Sequence, residues 1–94
     1  MESFYIITNQ LKDRDYSVTI EIKDYIERKG KHVILAQKDG EGFIVPGTIP
    51  ENVDCGLVLG GDGTLIRAIR DLEGNKLPLL GINIGTLGYL ADVE

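Results

Sequence analysis

The apolar residues of this chain cluster in four short runs, at residues 4–7, 32–36, 55–59 and 78–84. Runs of this length, bounded by polar residues, glycine or proline, are typical of buried strands. After the third run, Leu65, Ile66, Ile69 and Leu72 recur at the spacing of one helical face. The pattern therefore predicts two strands, at 57–59 and 78–84, joined by a helix that ends at about Leu72.

Residues 13–29 fit two descriptions. Apolar residues alternate from Val18 to Ile22, as in a strand, but Val18, Ile22 and Ile26 also recur at helical spacing. Length favours the helix, because the segment continues through basic residues to Gly30, a typical helix C-terminus. We therefore predict a strand, a helix and a strand in the first 36 residues.

Residues 37–52 contain three glycines and two prolines, which predicts a loop. The apolar residues 43–45 are expected either to cover the core or to form a short ribbon. We assign no chemistry to this segment, which is either tolerated variation or a mobile flap.

The third strand runs directly into a glycine-rich turn, Gly-Gly-Asp-Gly-Thr at residues 60–64, which opens the second helix. Such a turn presents backbone N–H groups and the positive end of a helix dipole to an anion. The glycines let a ligand approach the backbone and permit a positive φ. The dipole also favours an ionised Asp62, which would repel a phosphate unless it binds a cation or takes a proton. The turn therefore favours phosphoryl transfer, with Asp62 as a base or a metal contact.

A purely structural turn is the alternative. Asp62-Gly63 is also typical of a type I′ hairpin, and Thr64 would serve as a helix N-cap. A hairpin requires alternating residues after Gly63, whereas residues 65–72 have helical spacing. The pattern therefore favours the helix.

Two consecutive βαβ units predict an α/β fold, an open and mostly parallel Rossmann-like sheet with flanking helices. The carboxyl ends of parallel strands share one edge, where such sheets bind ligands. If the third and fourth strands are neighbours, the turns that follow them lie roughly 5 Å apart. Asp62 and Tyr89 are then expected to face one crevice.

Composition narrows the possible partners. The chain has 94 residues, enough for one domain with a modest core. Ten basic and fifteen acidic residues give a net charge of −5, so neither nucleic acid nor an anionic membrane is expected as a partner. No apolar stretch approaches the roughly 20 residues of a membrane span. A single cysteine, Cys55, excludes an internal disulfide and favours the cytoplasm.

Two motifs together resemble the N-terminal domain of an NAD kinase. The first is the turn at residues 60–64, which diacylglycerol and sphingosine kinases share and phosphofructokinases have in a close form. The second is GINIGTLGYL at residues 81–90. Lipid kinases usually have a Gly-Thr-x-Asn-Asp type of sequence after the corresponding strand, and this chain lacks it. The resemblance is specific over residues 55–92, and residues 1–54 agree with the family only in general pattern.

The resemblance implies phosphorylation of NAD at the 2′-hydroxyl of its adenosine ribose, giving NADP. The donor would be ATP or polyphosphate, with Mg²⁺ or a similar divalent ion. Asp62 would accept the proton of that hydroxyl, and Gly63 would lie against the dinucleotide. Tyr89 would be the aromatic residue near the adenine, where the family usually has Phe, and Leu90 follows it in the same motif.

Gly60, Gly61 and Thr64 would shape the phosphate side of the turn. Arg67 lies one turn into the helix, where it would donate to a ligand phosphate. It would equally form an i,i+4 pair with Asp71 on a solvated face. The sequence leaves both roles open.

Members of the family continue into a β-rich domain that supplies further groups for NAD. We therefore expect residues 1–94 to be the N-terminal α/β domain, folded but inactive alone, and to form a homo-oligomer through the surface left uncovered. A lipid-type kinase and a non-catalytic nucleotide-binding module are the alternatives.

Overall fold

The computed structural model describes residues 2–84 and contains four strands and two α-helices in this range. The elements in chain order are β1 (Ser3–Thr8), α1 (Ser17–Arg28), β2 (His32–Leu35), a short 3-10 helix (Pro46–Thr48), β3 (Cys55–Gly60), α2 (Asp62–Asp71) and β4 (Leu79–Asn83). All strand pairs are parallel, and the order across the sheet is β2-β1-β3-β4. The α/β fold with an open parallel sheet is therefore confirmed.

The two helices cover opposite faces of the sheet. Tyr5 and Ile7 of β1 belong to a buried cluster with Ala68 and Leu72 at α2, whereas Ile6 and its neighbours on β3 pack against α1. Every residue of β3 is buried. A strand covered on both faces needs apolar residues at every position, which is why β3 appears as a continuous apolar run.

The helix α1 resolves the ambiguity of residues 13–29. Val18, Ile22 and Ile26 pack against the sheet. Ile20 is 48% exposed, so the residue that would have supported a strand faces the solvent instead. The prediction of a helix is confirmed, although α1 itself begins only at Ser17.

A buried carboxylate fixes the start of α1. Asp13 is only 4% exposed, and it accepts hydrogen bonds from the N–H groups of Val18 (3.2 Å) and Thr19 (2.8 Å) and from the Thr19 hydroxyl (2.6 Å). Because Thr19 donates its hydroxyl proton to Asp13, the Thr8 hydroxyl, 2.7 Å away, donates to Thr19. Burial alone would raise the pKa of the Asp13 carboxyl, but these hydrogen bonds outweigh it and lower the pKa. Asp13 thus ties the first turn of α1 to the end of β1.

We expect Asp13→Asn to lower the free energy of unfolding at pH 7 by about 1–3 kcal/mol, because hydrogen bonds to a buried charge are lost. The folded-state pKa of Asp13 lies below its unfolded value of about 4. Its stabilisation is therefore complete above that pH and is lost as the pH falls through the folded-state pKa. We expect urea unfolding, measured from pH 7 to pH 2, to show that the variant and the wild type differ less in free energy of unfolding below about pH 4. The control is Asp24→Asn, which makes the same change at an exposed position of α1. If Asp13→Asn lowered the free energy of unfolding by the same amount at every pH in this range, the charge of Asp13 would not be the source of the stabilisation.

Candidate functional site

A cleft of about 830 Å³ opens at the carboxyl edge of the sheet. Three segments line it: residues 9–12 after β1, residues 38–42 after β2, and residues 61–64 at the start of α2. In the sheet, β1 has β2 on one side and β3 on the other, so the order of strands reverses between β1 and β3. Open α/β sheets bind ligands at this kind of switch point.

The strand–turn–helix arrangement of residues 60–64 is confirmed, and a hairpin is excluded. Gly60 ends β3, Gly61 is extended (φ −107°, ψ −169°), and α2 begins at Asp62. The N–H groups of Thr64 and Leu65 donate to the Gly61 carbonyl at 3.1 and 3.2 Å, whereas those of Asp62 and Gly63 donate no hydrogen bond within residues 2–84. Asp62 is exposed beside these two N–H groups in the wall of the cleft. A carboxylate and free N–H donors therefore occupy the same end of α2.

The glycines of the turn do not have the positive φ that the sequence suggested. Among residues 2–84, the glycines with positive φ are Gly30, Gly42 and Gly74. A Cβ at Gly60 would lie 2.5 Å from Oγ1 and 2.7 Å from Cβ of Thr64. Gly60 is therefore required because α2 folds back closely over the end of β3.

Thr64 connects the turn to the loop after β1. Its hydroxyl accepts a hydrogen bond from the Asn9 side-chain amide at 3.0 Å. The Asn9 N–H in turn donates to the Leu59 carbonyl at 2.8 Å. Because Gly61 is the N-cap of α2, Thr64 does not have the capping role that the sequence offered as an alternative.

Lys12 lies across the start of α2. A Cβ at Gly61 would be 3.9 Å from Cε of Lys12, so the lysine stem passes over this glycine. Neither Asn9 nor Lys12 was predicted from the sequence. Both residues follow the first strand, at the same edge of the sheet as the predicted turn, and this position could have indicated a role in the site.

Residues 37–45 form a short ribbon, one of the two arrangements that the sequence analysis expected within the loop. Lys38 and Ile44 form an antiparallel bridge, and the Asp39 carboxylate accepts the N–H groups of Glu41 (2.8 Å) and Phe43 (3.0 Å). Hydrogen bonds from Phe43 and Glu41 lower the pKa of Asp39. Ile44 is buried against the sheet, so this segment both covers the core and forms one wall of the cleft.

Arg67 fastens the ribbon to α2. Its Cζ lies 4.2 Å from the centroid of the Phe43 ring, and its Nη2 donates to the Glu41 carbonyl at 3.2 Å. Arg67 forms no ion pair with Asp71 in the described part of the chain, so the i,i+4 pair, one of the two roles that the sequence left open, is wrong. The guanidinium lines the cleft, and its contact with a ligand phosphate stays a prediction.

The structure brings most of the predicted site residues together. The cleft is lined by Gly61, Asp62, Gly63, Thr64 and Arg67, while Gly60 lies beneath Thr64. The predicted neighbours β3 and β4 do pair, with Gly60 opposite Asn83. Tyr89 and Leu90 lie outside the described residues, so the predicted crevice shared by Asp62 and Tyr89 stays a prediction.

Residues 2–84 contain no group of three or more His, Cys, Asp or Glu side chains placed to hold a metal ion. Neither described helix is long and apolar enough to cross a membrane.

We expect the same substitution at two glycines of the turn to have opposite effects. Gly60→Ala should lower the free energy of unfolding by about 1–3 kcal/mol, because the added methyl must displace Thr64. Gly63→Ala should raise it by up to about 1 kcal/mol, because alanine is the better helix former and a Cβ at Gly63 meets no atom within 4 Å. Urea unfolding of the two variants measures the difference. Equal stabilities would refute the steric role of Gly60.

Comparison with known proteins gave consistent matches. A family model described as the ATP-NAD kinase N-terminal domain matches residues 44–94. The chain is 46% identical over 100 residues to the NAD kinase of Agathobacter rectalis, and 41% identical over 100 residues to that of Lachnospira eligens. It is 41% identical over 97 residues to the NAD kinase of Lachnoclostridium phytofermentans. Each match covers the whole chain but only 34–35% of the relative, so the chain spans about a third of their length. No solved structure matches the chain significantly.

Proposed function

This chain belongs to the NAD kinase family, and we propose that it is the N-terminal domain of an enzyme that phosphorylates NAD. The product is NADP, formed at the 2′-hydroxyl of the adenosine ribose. The observation that carries the proposal is Asp62, an exposed carboxylate at the first position of α2 in a cleft at the switch point of the sheet. Ligands of open α/β sheets bind at such points.

Asp62 is the general base of this proposal. It accepts the proton of the 2′-hydroxyl as the oxygen attacks the terminal phosphoryl group of ATP or polyphosphate. The bond between that group and the neighbouring phosphate breaks, and ADP or the shortened polyphosphate leaves. A base of this kind contributes about 10²–10⁴ in rate. The remaining acceleration comes from alignment of the reactants and from neutralisation of phosphate charge, to which the N–H groups of α2 contribute.

Gly63 faces open space, because a Cβ added to this residue would meet no atom within 4 Å. The dinucleotide can therefore lie directly against the backbone there. Gly61 is similarly open apart from the stem of Lys12. We propose that Tyr89 stacks near the adenine and that Leu90 contacts the dinucleotide beside it. These assignments follow the family motif at residues 81–90.

A divalent ion such as Mg²⁺ fits this site only if the phosphates of the bound substrate supply some of its ligands. Mg²⁺ is usually held by one or two carboxylates together with substrate phosphates. The described residues offer no cluster of three ligands, and Asp62 is the carboxylate beside the N–H groups of α2. When bound, the ion would neutralise phosphate charge.

Several large apolar side chains are exposed to solvent in the described part of the chain, which supports a partner domain that covers them. Ile66 and Ile69 of α2 are each 54% exposed, and Leu80 of β4 is 56% exposed. We propose that a β-rich second domain covers some of these side chains and that the enzyme is a cytoplasmic homo-oligomer. Neither nucleic acid nor a membrane is among its proposed partners.

A substrate panel on the full-length protein tests the proposal. NAD, diacylglycerol and sphingosine are each offered with ATP and, separately, with polyphosphate, and NADP is detected with an NADP-specific dehydrogenase. We expect NAD to be phosphorylated, and we expect no product from diacylglycerol or sphingosine. Phosphorylation of a lipid in place of NAD would identify the lipid-type kinase, and binding of NAD or ATP without any product would identify a non-catalytic module.

A further inference from the structure

The ribbon at residues 37–45 carries a lysine to the carboxyl edge of the sheet. The ammonium of Lys38 donates to the carbonyl of Thr8, the last residue of β1, at 2.8 Å. In the sheet Thr8 is paired with Leu59 of β3, two residues before Gly61, the N-cap of α2. Since neighbouring strands lie about 5 Å apart, the Lys38 ammonium and the start of α2 occupy adjacent positions at one edge.

The position of Lys38 is held from both ends of the ribbon. Lys38 is bridged to Ile44, which is buried in the core. Arg67 stacks on Phe43 and donates to the Glu41 carbonyl, which fastens the tip of the ribbon to α2. Lys38 is therefore placed by packing and not by a flexible surface loop.

The charge of Lys38 has no anionic partner in direct contact among residues 2–84, where the ion pairs are Lys23–Glu27 and Lys31–Glu2. Lys38 is partly buried, and the acceptor of its hydrogen bond is a neutral carbonyl. Burial lowers the pKa of Lys38 and the charge of Arg67 adds to this effect, whereas Asp71 opposes it. An ammonium has three N–H donors, so two remain beyond the one given to Thr8.

We propose that Lys38 binds a phosphate group of the nucleotide that occupies the cleft. This inference rests on the proposed function, because it presumes a nucleotide ligand. A phosphate beside Lys38 would supply the missing negative charge and accept the remaining donors as charge-assisted hydrogen bonds. The phosphate belongs either to the ATP donor or to the pyrophosphate of NAD, and the two sources are separable by experiment.

Binding measurements on the full-length protein test the role of Lys38. Calorimetry compares ATP, NAD and adenosine, which has no phosphate, in the wild type and in Lys38→Met, Lys38→Arg and Lys23→Met. We expect Lys38→Met to weaken binding of ATP or of NAD by about tenfold to a hundredfold, and the affected ligand identifies the source of the phosphate. Lys38→Arg should retain most of the affinity, and binding of adenosine should be unchanged. Lys23→Met, which alters an exposed pair on α1, should change nothing.

A second experiment uses only the wild type and therefore tests the role of Lys38 even if Lys38→Met does not fold. Lysines are acetylated with and without ligand, and the rate at each position is measured by mass spectrometry. With ATP or NAD at about ten times its Kd, acetylation of Lys38 should slow about tenfold, because only the free fraction reacts. Adenosine should not protect Lys38, and neither nucleotide should protect Lys23.

The outcomes separate this inference from the proposed function. Unchanged affinities in Lys38→Met, equal protection by adenosine, or no protection by either nucleotide would overturn the role of Lys38, even if the enzyme makes NADP. Protection and weakened binding without any NADP formed would support the phosphate contact and overturn only the proposed reaction.

Discussion

Asp62→Asn is expected to reduce the rate of NAD phosphorylation by the full-length enzyme by about 10²–10⁴. Asparagine has the size of aspartate but lacks a basic oxygen, so it cannot take the proton of the 2′-hydroxyl. The loss should appear in kcat, because the proton moves only as the phosphoryl group is transferred. Steady-state kinetics with NAD and ATP, with NADP as the measured product, give kcat and KM separately.

The fold should tolerate this substitution. Asp62 is exposed, and no hydrogen bond or ion pair within residues 2–84 involves its carboxylate. The main cost is a weaker interaction with the dipole of α2, about 0.3–1 kcal/mol. Asp24→Asn makes the same chemical change at an exposed position of α1, outside the cleft, and should leave the rate unaltered. Activity of Asp62→Asn within about threefold of wild type would refute the assignment of the base, since a general base contributes far more.

The strands of the sheet could be predicted from the sequence because each of them coincides with a run of mostly apolar residues. A strand buried on both faces, such as β3, leaves this trace directly in the sequence. The strand–turn–helix arrangement at residues 60–64 is also local, and it could be predicted from the change in hydrophobic periodicity at the turn.

The opposite wall of the cleft could not be predicted because it depends on strand order. Asn9 and Lys12 follow β1, and Lys38 follows β2. The order β2-β1-β3-β4 places β1 directly beside β3 and so brings these residues to the central turn. Strand order is set by pairings between distant segments, which hydrophobic periodicity does not encode. The crevice that Asp62 and Tyr89 were expected to share, where β3 and β4 end, stays a prediction, and the described cleft opens where β1 and β3 end.

Arg67 and Gly60 show how tertiary contacts replace local expectations. The i,i+4 partner Asp71 is the local choice for Arg67, but an exposed ion pair contributes little. Stacking on Phe43 together with a hydrogen bond to the Glu41 carbonyl occupies the guanidinium instead. Gly60 has an extended backbone that any residue can adopt, and its requirement comes from the approach of Thr64.

Residues 1–94 expressed alone are expected to fold yet to form no detectable NADP. Folding should succeed because both βαβ units are complete and both faces of β3 are covered within residues 2–84. Cooperative urea unfolding, followed by circular dichroism, would verify the fold.

Catalysis by residues 1–94 should fail for lack of positioning. Alignment of reactants supplies about 7–11 kcal/mol of the barrier reduction in favourable cases. In the proposed enzyme, the groups that hold NAD against Asp62 belong largely to the second domain, and in this chain Asp62 is an exposed carboxylate at an open cleft. Calorimetry with NAD and a coupled NADP assay should detect neither micromolar binding nor turnover, while the full-length protein in the same buffer serves as the positive control. Micromolar binding of NAD, or measurable turnover, would show that these 94 residues already contain a complete site, and the proposed contribution of a second domain would then be wrong.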